Sequence, residues 1–465
     1  MKKQLFSCSL SLVLICSLST VMAQSFSFEQ AWQRVLKESD ALAAEQQNIE
    51  RSMHLKDAAS DLNLPSISLN ANYTRLDHSV KVKPSDLIES MPIDSVNQAF
   101  GIQTDSLDSL FTSTLTERDI FTSSIRALWP IYTGGRISAA QNIADAQTQE
   151  ASFLLTIKQS EKFEQLVKYY FALVLSEKVL KTRKEVERGL RQHYHNALKL
   201  EQQGQINKVE RLQAQVSLNK AQVELKKSYR DAEIAQVALS RLLKVSAQVE
   251  PTSTLFVNEN LPKMPLFIDK TLSQFPALKL LDSKKTQAKG LIELEQGKYY
   301  PEVYLYGNYN LYEEDDLASK IAPDWEIGIG LRVPILDSSG RAGKTKAAHS
   351  TVMQVSHLQA QAIQDLSVLV EKTYREASQS LEEFTGLESS LTLSNENLKL
   401  RTKAFSQGMA TSLDVVDAQL YVASIESQRF VAAYQYLLSL AKLLTLSSDI
   451  NSFKYYQSSQ GIEVK

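Results

Sequence analysis

Cysteine is almost missing from this chain. Among 465 residues only Cys8 and Cys16 occur, and both fall in an N-terminal stretch with the marks of a leader. Met1-Lys2-Lys3 is a basic start, Leu10, Leu12, Val13, Leu14 and Ile15 form an apolar run, and Val21-Met22-Ala23 offers a small residue before a cut at Gln24. Residues 1–23 therefore read as a secretory signal peptide. Bulky Ile15 ahead of Cys16 argues against a lipidated cysteine. With the leader gone no thiol remains, which excludes disulfides and cysteine-metal sites. Glycine and proline are scarce too, 15 and 11, too few to punctuate three loop-rich domains; the composition favours very long helices. Neither sign of charge dominates: 51 Lys+Arg stand against 53 Asp+Glu, so a nucleic-acid partner is not expected. After the leader no run of 18 uncharged apolar residues occurs. The best, residues 437–446, is interrupted by Lys442, so no transmembrane helix is expected. An exported chain of this kind is periplasmic, secreted, or a β-barrel of the outer membrane.

Catalytic signatures are missing as well. The six histidines are His54, His78, His193, His195, His349 and His357. His193 and His195, two apart on a helix, point in different directions. No H-E-x-x-H, Walker loop or G-x-S-x-G occurs, so the chain is not expected to be an enzyme or to carry a cofactor. Seven methionines and six histidines without clustering give no support to a metal site. Asp94, Asp105 and Asp108 lie in an acidic stretch that reads as a solvated loop rather than a calcium site.

What the chain does contain is written twice. Asn63-Leu64-Pro65, followed by a strand-like run to Tyr73, is answered by Tyr299-Tyr300-Pro301 and a run to Tyr309. Trp129-Pro130-Ile131 with Gly135-Arg136 is answered by Val333-Pro334-Ile335 with Gly340-Arg341. Gln202-Gln203-Gly204 with Ala214-Gln215 is answered by Ser406-Gln407-Gly408 with Ala418-Gln419. The last two pairs are about 204 residues apart and the first is 236 apart, so the first copy carries an insertion of 32 residues. The resulting plan is a first repeat over 24–250, a connector over 251–265, a second repeat over 266–447 and a tail over 448–465. Each repeat reads as helix, strand, loop, strand, very long helix, glycine, shorter helix.

The four strands alternate with period two. Ile67, Leu69, Ala71 and Tyr73 oppose Ser66, Ser68, Asn70 and Asn72; Trp325, Ile327, Ile329 and Leu331 oppose Glu326, Gly328, Gly330 and Arg332. Weaker alternation covers 121–129 and 303–312. Each strand is ~10 residues, the length a tilted strand needs to cross a bilayer. Four strands cannot close a membrane barrel, and an open edge in lipid is not tolerated. Closure therefore demands several chains, and three would supply twelve strands. The proline-free stretches 136–203 and 341–407 would make helices on the order of 100 Å long at 1.5 Å per residue. Phe163, Val167, Tyr170 and Val174 step as in a coiled coil. Two heptad series are expected to face the core after Gly408, Leu413/Leu420/Ser427/Tyr434/Ala441 and Val416/Ala423/Phe430/Leu437/Leu444. After Gly204 the expected series is Val209/Val216/Val223/Val237. Gly204 and Gly408 are expected where each long helix reverses. Helices over 26–62 and 266–298 should stack end to end on the shorter helices that follow Gly204 and Gly408.

In this order the motifs resemble the TolC-like outer-membrane efflux family. The residues that carry the resemblance are the two Leu-Pro/Tyr-Pro strand starts, Pro130-Ile131-Tyr132-Thr133-Gly134-Gly135-Arg136, the Gln-Gly turns and Ser412-Leu413-Asp414-Val415-Val416-Asp417-Ala418. The resemblance implies a mainly α fold with a small β part: long antiparallel α-helices forming a periplasmic helical barrel, and four transmembrane β-strands per chain in a twelve-stranded barrel of a homotrimer embedded in outer-membrane lipid. It implies a passive duct for small molecules, serving a periplasmic adaptor and an inner-membrane pump of the RND or ABC type. Type I protein secretion is the alternative cargo route, and a periplasmic coiled-coil scaffold a further one. Asp414 and Asp417 match, in type and spacing, the family's carboxylate ring at the periplasmic entrance; on their own they would read as acids at a helix start. The resemblance also implies an aromatic and an arginine that tie neighbouring coils, where this chain has Phe405 and Ala410. Glu210 stands in place of the first copy's usual aspartate and can still accept hydrogen bonds. Gly204, Gln205, Gly408 and Met409 are the expected docking tips for the adaptor. Residues 76–118, with the insertion, are expected to form a large surface loop.

Overall fold

The structure, a computed structural model, describes residues 24–84, 104–312, 320, 323–336, 338–458 and 461–464. The leader and Asp94 lie outside these, and Asp105 is described in its backbone alone. In chain order the elements are β1 (Gln24–Phe26), α1 (Phe28–Glu38), α2 (Asp40–Ser60), β2 (Ser66–Arg75), β3 (Val80–Val82), α3 (Thr104–Phe111), β4 (Ser113–Thr116), β5 (Asp119–Tyr132), α4 (Arg136–Gln202) and α5 (Lys208–Leu242). There follow β6 (Val249–Pro251), β7 (Phe256–Val257), α6 (Met264–Gln274), α7 (Pro276–Gly297), β8 (Glu302–Tyr312), β9 (Trp325–Arg332), α8 (Arg341–Ser406), α9 (Ser412–Leu446), α10 (Phe453–Ser458) and β10 (Ile462–Glu463). Two compact units share the long helices: one holds residues up to 47, 153–279 and 360 onward, the other 48–152 and 280–359.

The second unit contains the four-stranded sheet, in the order β2-β5-β8-β9, antiparallel throughout. Its register keeps the period-two pattern on one side across every strand. Ile67 lies opposite Ala127, Leu69 opposite Ile125 and Tyr73 opposite Phe121. Ile125 then meets Tyr309, which meets Trp325, and Leu305 meets Ile329. A one-residue slip would send these side chains to the other face. The apolar face is not a core: Ile67, Leu69, Ile327 and Ile329 are 69–76% exposed. On the opposite face Gly328 and Gly330 lie against the tyrosines of β8. A Cβ on Gly330 would collide with the Tyr304 ring, and one on Gly328 would stand 2.6 Å from that of Tyr306. These glycines therefore make room for aromatic rings. β5 is longer than its alternation shows. Pro130 sits at a bulge, where pairing with β2 has ended and only β8 continues, the position a strand proline tolerates.

The paired Gly-Arg motifs close the strand-to-helix junctions. Arg136, first residue of α4, ion-pairs with Glu302 of β8. Arg341, first residue of α8, donates to the carbonyls of Lys298 (3.0 Å), Pro334 and Ile335 (3.2 Å each) and lies 4.3 Å from the Tyr299 ring centre. The described residues within 76–118 include an antiparallel β3–β4 pair and α3, more than a plain loop.

In the first unit the core is aromatic. Phe28 lies 4.8–5.8 Å from the ring centres of Phe163, Tyr170, Phe171 and Phe453. Tyr170 donates to the Phe26 carbonyl (2.8 Å) and accepts from the Ser253 amide (2.9 Å), so its buried hydroxyl is paired. Phe163, Val167, Tyr170 and Val174 are all buried, as their spacing predicts. The connector and the tail form short ribbons, β1 parallel with β6 and β7 antiparallel with β10.

Four sequence expectations are corrected. The stretch 26–62 is not one helix: Ser39 takes an extended conformation, ending α1, while its carbonyl receives the Leu42 and Ala43 amides of α2. The stretch 266–298 likewise breaks at Phe275, extended because Pro276 follows and a residue before proline is driven out of the α region. The valines of α5 do not face the core: Val209, Val216, Val223 and Val237 are all more than half exposed, while Ala214, Leu218, Ala221 and Leu239 are buried. In α9 the Val416 series is buried throughout, but Leu413 and Leu420 are exposed and Val415, Val422, Tyr436 and Leu443 take their place. α9 packs on neighbours along more than one side, so its buried stripe is wider and rotated relative to a two-stranded seam.

The end-to-end stacking stands. Arg34 of α1 donates to the Leu243 carbonyl just past α5 (2.7 Å), and Ser448 just past α9 donates to the Gln274 carbonyl of α6 (3.1 Å). Lys244 and Ser448, 204 residues apart, both adopt positive φ, 51° and 56°.

Candidate functional site: the helix-turn tips

Both long helices end at their glycine. Gly204 and Gly408 have φ of 72° and 73°, the left-handed conformation that only glycine adopts without strain. Each turn is followed by a capped helix. Asn207 caps α5, its side chain accepting from the Glu210 amide (3.1 Å). Thr411 caps α9 in a reciprocal capping box with Asp414.

Asp414 is thereby committed on several sides. One carboxylate oxygen receives the Thr411 hydroxyl (2.6 Å) and amide (2.9 Å), and the other receives Arg401 of α8 (3.0 Å). The Thr411 hydroxyl, its amide and the Arg401 charge hold the Asp414 carboxyl below the usual range. Asp417, one turn on, is exposed.

Phe405 and Ala410 are not free to tie coils together through polar contacts. Phe405 is buried with Ala197, Ala214 and Val415, and Ala410 packs on the edge of that cluster. Gln205 and Met409 are exposed at the turns.

A polar contact set absent from the sequence reading joins the two repeats. Glu210 accepts from the backbone amide of Ser412 (2.8 Å), the first residue of α9. That amide is one of the donors a helix start leaves unpaired, so the first repeat caps the second. The Ser412 hydroxyl lies 2.5 Å from His193 Nε2, and the His193 ring lies 4.7 Å from that of Phe405. His193 is 5% and Ser412 0% exposed. Burial pushes the His193 pKa down, opposed by the nearby Glu210 carboxylate. Only the spacing of His193 from His195 hinted at this; His195 is exposed. Beside the cluster runs a cleft of about 600 Å³, lined by Gln192, Asn196, Lys199, Lys403 and Gln419 among others.

None of these groups forms a nucleophile–base pair open to a substrate, and no group of three or more metal-binding side chains occurs among the described residues. Among them, too, no helix is long and apolar enough to cross a membrane. The pattern of the outer membrane efflux protein family matches residues 31–243 and 267–448, both repeats and little else. This chain belongs to the outer membrane efflux protein family. It is a channel protein of the outer membrane, not an enzyme, with a helical part on the periplasmic side. Its fold is that of CusC, whose structures describe transmembrane channel formation: TM-score 0.73 at 14% identity over 90% of this chain and 91% of that one. VceC from Vibrio cholerae gives 0.70 at 14% identity over 91% and 96%. CmeC from Campylobacter jejuni gives 0.69 at 14% over 93% and 89%. No curated protein matches the chain by sequence. As an efflux protein of this family the chain is the outer-membrane channel of a tripartite system.

Proposed function

We propose that this efflux protein works as a passive homotrimeric duct, carrying small toxic molecules from a periplasmic adaptor and an inner-membrane pump to the outside. The observation that carries the reading is the sheet. Its apolar face is exposed along all four strands, and the outer edges of β2 and β9 are unpaired among the described residues. An exposed apolar face suits lipid, and the two open edges must be paired there. Three copies joined edge to edge give a closed sheet of twelve strands, and the two repeats contribute two strands each. The exposed valine stripe of α5 supplies a second surface for a helical neighbour.

The Gly204–Gln205 and Gly408–Met409 turns are the adaptor tips, and Asp414 and Asp417 form a carboxylate ring at the entrance, with Glu210, Phe405 and Ala410 beside it. Six carboxylates at one constriction would bind cations and filter by charge. The decisive experiment places photo-cross-linkers at Gln205 and Met409 in native membranes. Capture of an adaptor with a proton-driven pump is the expected result. An adaptor with an ATP-driven exporter would move the cargo to protein secretion, and no inner-membrane partner at either tip would overturn the efflux assignment.

A further inference from the structure

We propose that His193, Ser412 and Glu210 form a proton-released latch that holds the start of α9, and with it the entrance, in its packed state. The inference rests on the entrance reading above and adds its regulation. Each member comes from a different helix: His193 from α4, Glu210 from α5 and Ser412 from α9. The three meet next to the two glycine turns, where a change in one helix start moves the tip. Glu210 holds the Ser412 amide and His193 holds the Ser412 hydroxyl, so a single residue of α9 is gripped at its amide and its side chain.

The latch suits a neutral imidazole. From α5 the ring faces Glu210, whose carboxylate favours the charged form. From α8 it meets Phe405, and from α9 Ser412. On its own helix Gln192 and Asn196 line the adjoining cleft, with Val415 and Gln419 from α9; Lys199 and Lys403 stand in its wall. Burial outweighs Glu210, so the ring stays neutral at pH 7. Protonation makes both ring nitrogens donors. The imidazolium then competes with the Ser412 amide for Glu210, and its charge is better solvated when the tip opens. The sign follows from linkage: a histidine whose pKa is lowered in the packed state binds fewer protons there than when released. The packed state is therefore favoured above the ordinary value of 6.5 and loses stability as pH falls toward the lowered one.

The test uses the full-length trimer in detergent and in planar bilayers. Residues 24–465 contain no cysteine, so spin labels at Gln205→Cys and Met409→Cys report the tip alone. The distance between them should shift or broaden as pH drops from about 7.5 to about 5, with a midpoint below 6.5, and conductance should rise over the same range. His193→Gln should abolish both changes. Glu210→Gln keeps an acceptor for the Ser412 amide but removes the carboxylate that favours the charged ring in the packed state, so by the same linkage release should come more easily and the midpoint should move to higher pH. A pH response that survives His193→Gln, a midpoint unmoved or lowered by Glu210→Gln, or a wild-type distance constant over the range overturns the latch. A distance that responds in a protein with no conductance would instead remove the channel reading and leave the latch standing.

Discussion

At the scale of residues, the tip shows how one side chain can serve a helix and a pore together. Asp414 is the N3 member of a capping box, which accounts for its place without any channel. Its lowered pKa also fixes its charge: the carboxylate stays ionised down to below pH 3.8, the ordinary value, and its contribution to the helix start is lost only as pH falls through the lowered one. Across neutral and mildly acidic pH the charge that Asp414 brings to the ring is therefore constant. Replacing Asp414 and Asp417 by alanine should weaken block of the channel by multivalent cations in planar bilayers. Unaltered block would place the filter elsewhere. Thr411→Ala isolates the structural part, because it removes the cap and keeps the carboxylate. It should weaken the start of α9 by about 1 kcal/mol, read as faster amide exchange at residues 412–415, with cation block largely kept.

At the scale of elements, the glycines divide by what surrounds them. Gly330 faces the Tyr304 ring with no room for a side chain. Gly330→Val should therefore displace that ring or detach β9, and reduce the yield of folded protein in the outer membrane. Gly343, inside α8, has open space where a methyl group would stand, with nothing within 4 Å, and its φ is not in the left-handed region. Gly343→Ala should be neutral or stabilise α8 by up to ~1 kcal/mol, and it is the control for the first change. Gly204→Val and Gly408→Val meet open space but a forbidden backbone. They should impair coupling to the pump, seen as lost efflux, more than they impair assembly. Equal loss of both would make these turns folding elements only.

At the scale of the whole molecule, the sheet makes the firmest demand. Among the described residues a single chain leaves the outer edges of β2 and β9 unpaired and an apolar face exposed, and an unpaired edge is not tolerated in lipid. Extracted outer membranes should contain a species that migrates as a trimer unheated and as a monomer after boiling. Ile329→Asp, on the exposed apolar face of β9, should deplete that species, since an acid facing the hydrocarbon costs on the order of 2–4 kcal/mol or less per site and three copies would carry it. A soluble coiled-coil scaffold would show neither behaviour.

Much of this was written in the sequence because it is periodic. Alternation over 66–73 and 325–332 gives the strands and their faces, and the 204-residue repeat gives the paired junctions and turns. The scarcity of proline gives the long helices, and the glycines at 204 and 408 end them where φ turns positive. Other features depend on residues far apart in the chain, and period says nothing of them. The exposed valines of α5 repeat every seven residues as a core stripe would, yet packing chose Ala214, Leu218 and Ala221, whose smaller side chains allow helices to approach. Ser39 and Phe275 break helices through local backbone chemistry that a count of apolar residues passes over. The contact of Glu210 and His193 with Ser412 joins residues 202 and 219 positions apart. Sequence alone determined that this chain pairs strands of bilayer length with very long helices, twice over. Only the tertiary structure decided which buried polar groups hold the tip, because a hydrogen bond between distant residues exists only once the fold has brought them within ~3 Å.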